Sequence, residues 1–145
     1  MEITKQEVYN MIDRYIQEIG LTKEQTYNPK TNAYYWIRGS APIEVFVQEI
    51  PVSNGTRNYL RIFSYLGNVP DFNLQTLLRH LLELNDENLG VKLTIMPGTE
   101  KIYATYERDI EGLDYEELAT FIADLEWWAD KLDDELQNQF GVKRS

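Results

Sequence analysis

The apolar positions of this chain switch between two periods, and each switch marks an element. Val8, Met11, Ile12, Tyr15, Ile16 and Ile19 recur at three- and four-residue spacing, which lays one apolar stripe along a helix. Thr4 precedes the stripe with Glu7 three residues on, the pattern in which a hydroxyl and a carboxylate satisfy free N–H groups at a helix start. Gly20 supplies a left-handed stop. Residues 21–32 are polar, contain Asn28-Pro29 and Thr31-Asn32, and read as a loop. Alternation with period two then runs over about 33–39, 42–52 and 58–66. Ser53-Asn54-Gly55-Thr56 joins the last two, with Asn-Gly offering the positive φ angles of a tight hairpin.

Gly67 to Asp71 breaks the third strand, and helical spacing returns over about 73–88. Leu74, Leu77, Leu78, Leu81, Leu82 and Asn85 are expected to share its buried face, with Leu78 and Leu81 as central anchors. After Gly90, Val91–Met96 and Lys101–Glu107 flank Pro97-Gly98-Thr99-Glu100 as a second hairpin. Asp114 and Glu117 then open a closing helix that runs to about Gln139. Leu118, Phe121, Ile122, Leu125, Ala129, Leu132 and Leu136 form its buried stripe. The order predicts an α+β fold, with one domain over residues 1–145.

Alternation also sorts the strand residues by face. Ile43, Val45, Val47, Leu60, Ile62, Leu66, Val91, Leu93, Ile95, Ile102 and Ala104 suit a face covered by helices. The opposite set is Phe46, Tyr59, Phe63, Tyr65 and Tyr103, interleaved with Glu44, Gln48, Arg61, Lys92, Thr94 and Thr105. Rings offer contact area and their polar neighbours fix orientation, which is what a partner-binding surface requires. Aromatics also favour strands and lie along solvated faces without a partner, so both readings stay open. Trp127 falls nearly opposite the apolar stripe of the closing helix, at ~100° per residue, and is a further candidate contact. The candidate binding residues are therefore Phe46, Arg61, Phe63, Tyr65, Tyr103 and Trp127.

Composition narrows the partners. A net charge of -10, with scattered Lys and Arg, argues against nucleic acid and anionic membrane. The chain has no cysteine, which removes disulfides and thiolate chemistry and fits a reducing cytoplasm. No basic start followed by an apolar stretch opens the sequence, so no signal peptide is expected, and no apolar run suffices for a membrane span. His80 is the only histidine, at the edge of the leucine arc, and reads as structural or solvated. Asp124, Glu126, Asp130, Asp133, Asp134 and Glu135 could gather a hard cation, but they lack calcium-loop spacing and read more simply as a solvated helix face. Phosphate loops, nucleophile elbows and zinc-protease helices are missing.

The segment LLRHLLELNDENLGVKLTI at 77–95, the turn at 97–100, and IEGLDYEELATFIADLEWWADKLDDEL at 110–136 resemble the YbjN family, which is similar in fold to type III secretion chaperones. APIEVFVQEI at 41–50 and the Leu66-Gly67-Asn68-Val69-Pro70 break look similar as well. The resemblance spans about 1–140 and implies helix–three strands–helix–two strands–helix, with a twisted antiparallel sheet and helices packed on it. It also implies an acidic protein that binds other proteins, commonly as a homodimer, without a cofactor. Members of the family are described as regulators of sensory transduction, and secretion chaperones bind extended client segments. Their dimers form through the second helix and neighbouring strands.

The expectation is a non-enzymatic, cytoplasmic protein-binding module, chaperone-like or regulatory, with no catalytic, metal or cofactor residues assigned. Its partners are a protein or client segment and a second copy of itself. Two alternatives are a small metal-dependent hydrolase using the acidic closing helix, and a structural subunit of a larger complex.

Overall fold

The computed structural model describes residues 2–88 and 90–144. The first helix, α1, is Lys5–Glu18. Thr4 Oγ1 accepts from the Glu7 N–H at 3.1 Å while the Glu7 carboxylate accepts from the Thr4 N–H at 2.8 Å. Val8, Tyr9, Ile12, Tyr15 and Ile16 are its buried residues. The segment expected to be a loop holds two short elements, α2 (Lys23–Thr26) and β1 (Tyr27–Asn28). A second capping box, Thr22 with Gln25, starts α2, but four residues are too few to show an apolar period.

Strands β2 (Ala33–Arg38), β3 (Ala41–Val52) and β4 (Gly55–Asn68) follow. Val52 pairs with Gly55, so the hairpin turns on Ser53-Asn54, one residue earlier than Asn54-Gly55 predicts. Gly55 alone of the pair takes a positive φ. β4 also runs past Leu66, because an irregularity between Tyr65 and Gly67 absorbs one residue and lets Gly67 and Asn68 keep pairing with β6. Helix α3 is Leu74–Glu87, β5 is Lys92–Ile95, β6 is Lys101–Asp109, and α4 is Tyr115–Phe140. Asp114 and Glu117 form the expected capping box at the start of α4.

The six strands make an antiparallel sheet in the order β1-β2-β3-β4-β6-β5. Helix α4 packs across β3, β4 and β6, α1 against β3, and α3 against the edge strand β5. The face beneath them is aliphatic, as alternation predicts: Ile43, Val45, Leu60, Ile62, Leu66, Ile102 and Ala104 are buried there. Each such Leu or Ile side chain contributes roughly 1.5–3 kcal/mol on leaving water. Among the described residues no helix is long and apolar enough to cross a membrane.

The leucines of α3 correct the sequence reading. Leu77, Leu81 and Leu84 face the core, whereas Leu74, Leu78 and Leu82 are exposed. Leu78, expected as an anchor, is 36% exposed against 4% for Leu81. At ~100° per residue the leucine arc is wider than one edge strand can cover, so half of it is left outside.

The chain end is tied into the fold. Val142 is buried, and Lys143 exchanges backbone hydrogen bonds with Asn68 at 2.5 and 3.3 Å. Val142 and the Lys143 carbonyl lie directly over Gly67, whose φ is +137°. A side chain there would strike both.

Candidate protein-binding surface

Strand alternation delivers the predicted rings to one place, the sheet face turned away from the helices. Phe46 comes from β3, Phe63 and Tyr65 from β4, and Tyr103 from β6. Phe46 and Phe63 meet edge-to-face with centroids 5.6 Å apart, Phe63 and Tyr103 at 5.9 Å, and Tyr65 and Tyr103 at 5.7 Å. All four are half-buried, so the rings pack on one another while keeping one side to solvent. Offset and edge-to-face geometry at these spacings is favourable beyond simple burial. Burial raises the phenol pKa of Tyr103 and of Tyr65 above its ordinary value, and the Tyr65 hydroxyl donates to Asn68 Oδ1 at 2.8 Å.

Arg61 lies within this strip. Its guanidinium stands 4.6 Å from the Phe63 ring centroid, Nη1 donates to Gln48 Oε1 at 2.6 Å, and Nε lies 3.2 Å from a Glu107 oxygen. Lys92 Nζ reaches the other Glu107 oxygen at 3.0 Å. One carboxylate thus fixes two cations at the margin of the rings. Lys101 extends over Tyr65, 6.0 Å from its centroid. Phe63, Tyr103, Ile95 and Met96 help line a shallow depression of about 410 Å³. Thr105 also lines it, and its buried hydroxyl has no hydrogen-bond partner among the described residues.

Trp127 is not part of this surface. It is 58% exposed on α4, the helix that covers the opposite face of the sheet. Its ring meets Trp128 edge-on at 4.8 Å, and Lys131 Nζ sits 5.2 Å from its centroid. The structure therefore unites five of the six candidates and separates the sixth.

The acidic helix differs from a uniformly solvated face. Glu126 and Asp133 are buried. Glu126 accepts from Trp36 Nε1 at 2.8 Å and from the Tyr15 hydroxyl. Asp133 pairs with Arg144 and accepts from Ser40 Oγ. Asp130 accepts from the Ser40 N–H and hydroxyl, both at 2.9 Å, and these bonds hold its carboxyl below the usual range. Carboxylates of Asp130, Asp133 and Asp134 do converge within 4.8 Å, but the Arg144 guanidinium already supplies Asp133 with a cation. His80 lies beside Phe140, with ring centroids 4.8 Å apart.

Two relationships escaped the sequence reading. Glu126 follows Ile122 by four residues and precedes Ala129 by three, so its place beside the buried stripe was available from spacing. The docking of Arg144 on Asp133 had no sequence signal, since nothing local links a chain end to a helix interior.

No protein-family model matches the sequence, and no curated protein matches it. Solved structures do. A chain of the HopA1–SchA chaperone–effector complex superposes with a TM-score of 0.64 at 15% identity, covering 92% of this chain and 98% of that one. YbjN from E. coli gives 0.63 at 14% identity, covering 94% and 92%. A chain of the heterodimeric ExoU–SpcU complex from the type III secretion system of Pseudomonas aeruginosa gives 0.59 at 18% identity, covering 88% and 99%. At these identities the likeness is one of fold: the chain has the α+β architecture shared by YbjN and type III secretion chaperones.

Proposed function

We propose that this protein binds an extended segment of another protein across the aromatic outer face of its sheet, as a chaperone-like or regulatory module that performs no chemistry and needs no cofactor. The observation that carries this reading is the contiguous run Phe46–Phe63–Tyr103–Tyr65 on the face turned away from the helices. Scattered exposed rings need no explanation, whereas a joined strip offers a partner apolar area that water cannot satisfy. The cations at the margin, Arg61, Lys92 and Lys101, add polar anchoring points. Similarity to a chain of a chaperone–effector complex supports the same reading.

Homodimerisation completes the proposal. Leu74, Leu78 and Leu82 lie at four-residue spacing along α3 and remain exposed, Leu82 by 70%. A two-fold contact uses such a patch twice, so a narrow strip can suffice. The reducing interior suggested by the cysteine-free composition makes the cytoplasm its proposed location.

A phage-displayed library of random peptides tests the surface. Selected binders should lose about 2 kcal/mol or more of affinity for Phe63→Ala and keep it for Trp127→Ala. Binders indifferent to Phe63→Ala would remove the site.

A further inference from the structure

An edge strand of a sheet presents unpaired N–H and C=O groups, which invite pairing with any other strand. Strand β5 is such an edge: it ends the strand order and has only β6 as a neighbour. Yet one of its residues is fully occupied on the open side. Asn85, near the end of α3, accepts from the Leu93 N–H through Oδ1 at 2.6 Å and donates from Nδ2 to the Leu93 carbonyl at 3.2 Å.

We propose that Asn85 is an edge cap, its side-chain amide standing in for one peptide unit of a neighbouring strand so that β5 cannot be extended by another chain. Asn is chemically suited to this. Its amide carries a donor and an acceptor side by side, the same pair a backbone peptide presents. Both bonds converge on one residue in the middle of a four-residue strand, where blocking one register blocks the whole edge. Helix α3 holds the amide in place by seating Leu84, the residue just before Asn85, in the core. Strand-strand assembly at this edge is thereby suppressed. The edge cap depends only on geometry within one chain and stands whether or not the aromatic face binds a client.

The test compares Asn85→Ala with Leu81→Ala, which loosens the same helix without touching the edge bonds. In Asn85→Ala at low protein concentration, hydrogen exchange at the Leu93 amide should quicken about tenfold, the effect of losing one such bond. On raising the concentration, light scattering should show species larger than the parent forms, and the Leu93 amide should become protected again. Leu81→Ala, compared at the same fraction unfolded, should show no concentration-dependent protection of Leu93. Should Asn85→Ala fail to fold, Asn85→Ser keeps a polar side chain too short to reach both groups and should behave in the same way. Unchanged Leu93 exchange, a mass equal to the parent's at every concentration, or equal assembly by Leu81→Ala would each overturn the proposal.

Discussion

Trp36 donates its indole N–H to the Glu126 carboxylate at 2.8 Å, joining β2 to α4 across 90 residues of sequence. The Tyr15 hydroxyl of α1 donates to the other oxygen of the same carboxylate. Three elements therefore share one buried acceptor. Glu126→Ala would strand two buried donors and is expected to cost about 2–4 kcal/mol. Glu126→Gln keeps an acceptor oxygen for one of them and should cost less. Denaturant melts of both variants decide it, and equal stability with the parent would show that the carboxylate is not the joint.

Leu81 and Leu78 sit three residues apart and should respond differently. Leu81→Ala, in the core, is expected to cost about 2–5 kcal/mol of folding stability. Leu78→Ala should cost under about 1 kcal/mol of folding. Its effect should show instead as weaker self-association, read by light scattering during gel filtration over a range of concentrations. A monomer throughout the micromolar range in the unaltered protein would sink the dimer proposal outright.

Gly67 is the residue over which the chain end closes. Gly67→Ala would both strain a φ of +137° and push Val142 and Lys143 away. A loss of about 2 kcal/mol or more is expected, with faster exchange at the Asn68 and Lys143 amides. If the melt is unchanged, the tail is not held against β4 in solution.

Alkaline pH should unfold the protein before it ionises its buried tyrosines. Burial, and then hydrogen bonds to Glu126 and Asp13, raise the phenol pKa of Tyr15 and Tyr34 respectively above its ordinary value. Burial followed by the bond to Glu18 raises Tyr115 to about 12. Unfolded tyrosines ionise near ~10, so above that pH the unfolded chain sheds protons that the folded one retains. The stability these groups contribute is complete below about pH 10 and declines as pH rises past it. Denaturant midpoints should fall between about pH 10 and about pH 12, and Tyr15→Phe or Tyr34→Phe should lessen the fall. A midpoint constant over that interval would refute the assignment.

Local chemistry determined which features the sequence alone makes legible. Capping boxes at Thr4 and Asp114 act within four residues, and strand alternation acts between neighbours, so helix starts and both sheet faces could be read. Phe46, Arg61, Phe63, Tyr65 and Tyr103 were placed on one face for that reason alone. The sequence did not decide how much of an apolar arc its neighbours would cover. Leu74 and Leu78 have the same composition and spacing as Leu77 and Leu81, and only the narrowness of β5 against α3 leaves the first pair outside. Nor could it show that Glu126 and Asp133 leave water, because their partners Trp36, Tyr15, Ser40 and Arg144 lie on other elements. A buried charge depends on donors brought from a distance, and the amide of Asn85 meets Leu93 only after α3 has turned back along the sheet edge. Periodicity fixes the direction of a side chain; tertiary packing decides what it meets there.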